Sequence, residues 1–203
     1  MRLAAESPVS FEIVALRKLS WKPLDLPKFK YHSDPIATGS VAESENICAC
    51  CEQERGYIYS GPVYSEADHE DDICPWCIAD GTAHEKFGAS FIDIEGVGGF
   101  GDWEKVPPET SAEVAFRTPG FTGWQQERWF TCCSDAACFL GRAGYKELLA
   151  FGPSAIEAIR AELGWEEEEW KEYLRALDKD GQPTAYIFRC LHCKKFGGYS
   201  DFT

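Results

Sequence analysis

The sequence predicts an α+β fold, with antiparallel strands and several short helices gathered into one small mixed domain. Three observations carry that prediction. Cysteines recur in pairs with two residues between them, as Cys48-Ala49-Cys50-Cys51, Cys74-Pro75-Trp76-Cys77 and Cys190-Leu191-His192-Cys193. Aromatic and β-branched runs such as Tyr57-Ile58-Tyr59 and Thr184 to Arg189 have strand character and are too short for helices. Between them lie amphipathic stretches with helix start and stop signals.

Residues 1–25 read as an N-terminal extension: Phe11 to Leu16 suits a strand or a short helix, and Trp21 to Pro27 is a proline-punctuated linker. Lys28 to His32 alternates like an edge strand and ends at the Asp34-Pro35 turn. Glu52 to Gly56 turns the chain into the strand Tyr57-Ile58-Tyr59. Ile78 to Phe87 carries helix formers, and Gly88 to Ile94 alternates as a strand. Gly96, Gly98, Gly99 and Gly101 form a surface loop without the basic residues or helix start of a phosphate cradle. Thr110 and Glu113 read as a capping box for a helix that stops before Pro119. Residues 118–129 are dense in glycine, aromatics and amides, which suits either a recognition surface or buried tryptophan.

Trp129-Phe130-Thr131 reads as a strand entering Cys132-Cys133, followed by short helical stretches at Ala136 to Leu140 and Gly144 to Phe151. Pro153-Ser154 with Glu157 caps a helix from Ala155 to Leu163, which Gly164 ends. Trp170, Tyr173, Leu174 and Leu177 make a core stripe, with Glu166, Glu167, Glu168 and Glu169 in the first turn where the macrodipole favours negative charge. Gly181-Gln182-Pro183 breaks that helix, Thr184 to Arg189 is a strand, and the third cysteine pair leads into a glycine-aromatic tail.

Two residues between thiols let a tight turn aim both sulfurs at one ion, and two such turns supply the four thiolates of a structural Zn²⁺. Cys48, Cys51, Cys74 and Cys77 are the first set, with Cys50 as alternate, and give the domain zinc-ribbon-like knuckles. If Trp129 to Thr131 pairs with Thr184 to Arg189, Cys133 and Cys138 join Cys190 and Cys193 as a second set. Strand alternation then points Cys132 to the other face, leaving it as the alternate. The expected cofactor is therefore Zn²⁺ at two structural sites, in knuckles at 48–77 and 132–193. Closed four-thiolate sites leave no position for substrate or water, so the expectation is a non-enzymatic protein. The alternative is an enzyme that uses an unliganded thiol, Cys132 or Cys50, in an aromatic-glycine pocket around residues 118–133.

Composition sets the partner class. The chain has 203 residues, is 44% hydrophobic and carries a formal net charge of −14. That charge argues against a nucleic-acid groove, whose affinity comes from clustered lysine and arginine. It favours a basic protein partner reached by electrostatic steering. The acidic candidates are Glu166 to Glu169 and Asp68, Glu70, Asp71 and Asp72, with Tyr64 and Trp124 as aromatic anchors. Met1 to Leu26 lacks the apolar core of a signal peptide and no stretch is long and apolar enough to span a membrane. Ten cysteines in such a chain suit a reduced, cytoplasmic protein with thiolate metal sites. Nothing in the sequence specifies an oligomeric state.

Six segments also carry a family resemblance: Leu26 to His32, Tyr57 to Tyr64, Cys74 to Gly81, Arg117 to Gly120, Trp124 to Trp129 and Arg189 to Cys193. Together they resemble the CbrC family of bacterial proteins, over residues 26–203 and not over 1–25. The resemblance implies a cysteine-rich protein with no assigned catalytic mechanism, associated with tolerance of nuclease colicins and with toxin immunity. An acidic protein that covers the basic cleft of a nuclease toxin is the function it implies.

Overall fold

Ala185 to Phe188 within Thr184 to Arg189 is the apolar run that a strand buried on both faces needs, and the strand becomes the centre of the largest sheet. This strand, β6, lies between β5 (Cys138–Ala143) and β7 (Phe196–Asp201), with both neighbours antiparallel. The structure, a computed structural model, describes residues 25–202. The element expected at Phe11 to Leu16 and most of the linker before Pro27 lie outside the described residues.

Alternation along β6 sends side chains into two cores. Tyr186 and Phe188 face a layer with Phe121, Trp129, Phe139 and Tyr199, all buried. Ala185 and Ile187 face the opposite layer, built from Ala143, Leu148, Ala155, Ile159, Trp170 and Leu177. That layer is covered by α4 (Tyr145–Phe151), α5 (Pro153–Leu163) and α6 (Glu167–Ala176). Gly164 ends α5 in the left-handed conformation at φ 67° and donates its N–H to the Arg160 carbonyl. Removing each large aromatic or aliphatic side chain from water contributes about 1.5–3 kcal/mol, so these two layers hold most of the fold's stability.

A third core surrounds the first cysteine group. Here β1 (Val41–Glu43) pairs antiparallel with β2 (Tyr57–Tyr59), and Phe29, Ile58, Ile73, Ile78 and Phe91 pack around Cys48, Cys74 and Cys77. Two short helices follow, α1 (Pro75–Ala79) and α2 (Thr82–Phe87). A 3₁₀ turn at Ile94–Gly96 and then α3 (Pro108–Arg117) lead back to the aromatic layer. A two-stranded ribbon, β3 (Thr131–Cys132) and β4 (Asp135–Ala136), sits at its edge. Short antiparallel sheets, six α-helices among the described residues and cysteine knuckles make this the mixed α+β architecture that the sequence predicts.

Several local expectations are corrected. Ala136 to Leu140 is not helical, because Cys138–Ala143 finds the open edge of β6 and backbone pairing there outweighs helix propensity. Trp129 to Thr131 does not pair with β6; Thr131 and Cys132 pair with Ala136 and Asp135 instead. The helix expected over Ile78 to Phe87 is split at Gly81, whose φ of 85° a helix interior does not adopt. Gly88 to Ile94 forms only one bridge, Ser90 to Tyr64. Its alternation is real, since Phe91 and Ile92 enter different cores, but no strand lies alongside. Lys28 to His32 likewise makes one bridge, from His32 to Phe139. Thr110 caps nothing, because α3 begins at Pro108, whose fixed φ suits the first helical position. The glycine-aromatic tail is strand β7, and Gly197 is needed there because a Cβ would overlap the Phe130 ring.

Candidate metal centres

The first cysteine group is built from two turns that meet face to face. In one, Glu52 donates its N–H to the Cys48 carbonyl at 2.7 Å, and Cys48 donates to Gln53 at 3.0 Å; Glu52 takes φ 58° to close the knuckle. In the other, Cys74 is the residue before α1, Pro75 opens the helix, and the Cys77 N–H reaches the Cys74 carbonyl at 3.1 Å. One helical turn thus puts both sulfurs on the same side. The two turns are joined by the Cys74 N–H, which donates to the Cys48 sulfur at 3.2 Å. Lys86 from α2 donates to the carbonyls of Ala49 and Cys50 at 3.2 and 2.9 Å and ties the first knuckle to the second.

The resulting sulfur positions could hold a metal ion. Cys48, Cys51, Cys74 and Cys77 have sulfurs within 4.8 Å of one another, with contacts of 3.9 Å (Cys48–Cys77), 3.8 Å (Cys51–Cys74) and 3.6 Å (Cys74–Cys77). Four thiolates bound tetrahedrally at about 2.3 Å stand about 3.8 Å apart along each edge, so an ion fits without rearrangement. A disulfide, at about 2.05 Å, does not match these separations. Electrostatics agree. Hydrogen bonds from Cys74 and Cys77 draw the Cys48 thiol far down, while donating to Cys48 pushes Cys74 up to about 12 and raises Cys77 as well. The Cys48 proton leaves most easily, and Cys74 and Cys77 hold theirs until a cation takes their place. Arg55 adds compensating charge: burial works against its protonated form, yet Cys51 and Cys74 more than offset it, and its guanidinium lies 5.5 Å from the Trp76 ring centre.

The second group forms where a hairpin meets the end of β6. Cys133 and Ser134, at φ 57° and 55°, make the two-residue turn between β3 and β4, whose left-handed pair matches the strands' twist. The Glu104 carboxylate accepts both turn amides, Cys133 N–H at 3.1 Å and Ser134 N–H at 2.6 Å. Cys190 donates its N–H to Lys195 at 2.9 Å, folding the third knuckle, with Lys194 at φ 65°. Cys132, Cys133, Cys190 and Cys193 then have sulfurs within 4.8 Å, with Cys132 at 3.8 Å from Cys133 and 3.6 Å from Cys193.

This corrects the expected ligand set, because Cys138 is not in the group and Cys132 is. Strand alternation would make Cys132 and Cys133 face opposite ways. A tight turn abolishes that alternation and points both sulfurs at β6. Cys138 is the first residue of β5, opposite Arg189, buried with its sulfur 3.6 Å from the Phe139 carbonyl. Ser134-Asp135 after the cysteine pair is the turn signal that could have shown this.

A carboxylate missed by sequence reasoning locks the two knuckles together. Asp135 accepts from Tyr31 Oη at 2.7 Å, His192 Nε2 at 2.8 Å and Lys30 Nζ at 3.0 Å. Burial raises its carboxyl pKa, but hydrogen bonds from Tyr31, His192 and Lys30 outweigh that and hold it at about 2. The His192 ring is thereby turned toward Asp135.

The remaining candidates fall outside both tetrads. Cys50 is buried and its thiol is pushed up by burial. Phe121, Trp129 and Phe130 of the aromatic-glycine segment are core. A concavity of about 400 Å³ does open beside it, lined by Phe100, Trp103, Arg128, Phe130, Cys132 and Glu162 among others, and Arg128 pairs with Glu162 at 3.0 Å inside it. The four histidines are engaged elsewhere: His32 with Pro119 and Thr38, His69 with Asp72, His84 with Ala89, and His192 with Asp135. Glu166 to Glu169 are exposed at the start of α6, where Glu167 and Glu168 pair with Lys171. Asp68, Glu70 and Asp71 are exposed on the loop before Cys74, with Asp72 half-buried beside His69. Tyr64 donates to Glu127 at 2.6 Å, and Trp124 keeps its ring 40% exposed while its Nε1–H bonds to Gly181 and Thr184. No helix among the described residues is long and apolar enough to cross a membrane.

Residues 26–202 match the sequence model of UPF0167, described as an uncharacterised protein family. UPF0167 proteins of Mycobacterium bovis and Mycobacterium tuberculosis are each 45% identical over 186 residues, covering 89% of this chain and 95% of the relative. A UPF0167 protein of Pseudomonas aeruginosa is 41% identical over 181 residues, covering 88% of this chain and 98% of its own length. No solved structure matches significantly.

Proposed function

The chain belongs to the UPF0167 family, and from its two thiolate tetrads we propose that it is a zinc-stapled protein-binding module that performs no chemistry at its metals. The observation that carries this reading is that each tetrad is complete in protein sulfur. Thiolates favour Zn²⁺ and related soft ions, and a four-thiolate zinc has no corner left for substrate or water. The ions then supply folding energy to a chain that binds through its exterior.

The partner is a basic protein surface. A net charge of −14 and the exposed acidic runs at Glu166 to Glu169 and at Asp68, Glu70 and Asp71 favour encounter with one. The segments that resemble the CbrC family lie within or overlap the matched stretch 26–202, and that resemblance supplies the specific partner: a nuclease-type toxin whose cleft is neutralised in the cytoplasm. Two measurements test this. Metal analysis of tag-free protein is expected to give two zinc equivalents per chain; one or none refutes the two-site reading. Pull-down from the native host followed by a toxicity-rescue assay is expected to return a basic toxin domain and protection from it. Full zinc content with no captured basic protein and no rescue refutes the binding role while leaving the zinc sites standing.

A further inference from the structure

The two tetrads have the same ligands and very different surroundings. Around the first, Cys48, Cys74 and Cys77 are buried and Cys51 half-buried within an apolar core. Around the second, only Cys190 is buried, Cys132 is half-buried, and Cys133 and Cys193 are exposed. Two concavities reach it: the one lined by Cys132, and a neighbouring groove of about 580 Å³ lined by Cys193 with Arg189, Lys194 and Lys195. The two share Ala158, Ala161, Lys195 and Phe196, so one continuous surface leads to both sulfurs. Cys132 and Cys193 are 61 residues apart in sequence and 3.6 Å apart at sulfur.

We propose that the second tetrad is an oxidative modification site, at which a hydroperoxide joins Cys132 to Cys193 and zinc is released. The inference rests on the reading that this tetrad holds zinc. In the step, two thiolates and one hydrogen peroxide take up two protons and give one disulfide and two waters; the sulfurs lose two electrons and the O–O bond is cleaved. With two of its four ligands consumed, the ion is held by Cys133 and Cys190 alone and leaves. Thiolate oxidation follows exposure, so the first tetrad, in the same molecule, is the unreactive control. Closing the disulfide needs little more than a contraction of the Cys132–Cys193 contact, whereas a Cys132–Cys133 bridge would strain the turn. Loss of the ion leaves the hairpin joined to the end of β6 by the new disulfide and the Asp135–His192 contact, with the Cys133 and Cys190 thiols released from the metal.

The experiment is a peroxide titration of the zinc-loaded full chain, with free zinc read by a metallochromic dye and disulfides mapped by mass spectrometry. The expected result is one zinc equivalent released roughly tenfold or more faster than the other, with a Cys132–Cys193 disulfide and the first tetrad still reduced. A Cys132→Ser/Cys193→Ser variant, carrying one zinc, is expected to release none under the same conditions, and Cys138→Ser to behave as the parent. Equal release from both sites, earlier release from the first, or oxidation at the second site without zinc loss would overturn the proposal. A protein that purifies with zinc only in the first tetrad overturns it too, and then the failure lies with the two-site reading, since metal content is measured before any peroxide is added.

Discussion

Replacing Asp135 by Asn tests whether the second knuckle pair is locked from behind by a carboxylate. The side chain is 12% exposed and accepts from Tyr31, His192 and Lys30, which together hold its carboxyl at about 2 against an ordinary 3.8. A depression of about two units corresponds to roughly 2.5 kcal/mol of native stability, and half-exposed Lys30 and His192 reduce that to about 2 kcal/mol through solvent screening. Asn keeps the shape but offers an NH₂ where donors converge. For a chain of this size each kcal/mol shifts the midpoint by about 2–4 °C, so Tm near neutral pH should fall by about 4–8 °C. The sign of the pH dependence follows from the depressed value. The carboxylate's contribution is present above about pH 4 and disappears as pH falls through about 2, so the gap between parent and variant narrows in acid. Thermal melts of both proteins at matched zinc concentration measure it. A gap below about 1 °C near neutrality, or one that persists unchanged in acid, refutes the reasoning.

Three further outcomes follow from other contacts. Glu104→Ala removes the acceptor for both amides of the Cys133-Ser134 turn and should weaken the second site's metal about 10–100-fold in a competitive chelator titration, leaving the first unchanged. Gly197→Ala places a methyl into the Phe130 ring and should cost about 1–3 kcal/mol in urea unfolding. His32, buried between Pro119 and Thr38, has its pKa pushed down to about 4 by burial. The unfolded chain therefore binds the extra proton first, so stability falls as pH drops below about 6.5, by up to about 3 kcal/mol at pH 4. A His32→Gln variant should lose that part of the slope in pH-dependent urea melts, and an unaltered slope would refute the assignment.

What could be read in advance was local chemistry. Thr184 to Arg189 announces β6 by its β-branched and aromatic content, and Gly164 announces the end of α5 because few residues other than glycine take φ 67° readily. Contacts within each turn, which the spacing encodes, bring Cys48 to Cys51 and Cys74 to Cys77, and the Cys74 N–H to the Cys48 sulfur then joins the pairs. Long-range pairing was not legible. Cys138–Ala143 and Phe196–Asp201 are strands only because β6 offers each of them an edge, and nothing in Gly197-Gly198 advertises it. The exchange of Cys138 for Cys132 has the same origin: the ligand set depends on a hairpin whose turn makes two adjacent residues face one way. Asp135 and Glu104 were invisible because their partners come from distant parts of the chain.

A metal in the second tetrad would tie Cys132 to Cys193, and everything from α4 to α6 is strung between those clasps like a bight of rope between two cleats. Closure entropy grows only logarithmically with the length of such a bight, about 0.6 kcal/mol for each doubling. The clasp is therefore nearly indifferent to how much chain it encloses. The exposed acidic first turn of α6 and the loops between these helices can therefore be re-surfaced or lengthened at small thermodynamic penalty, while buried Trp170 and Leu177 and the sulfur anchors stay where they are.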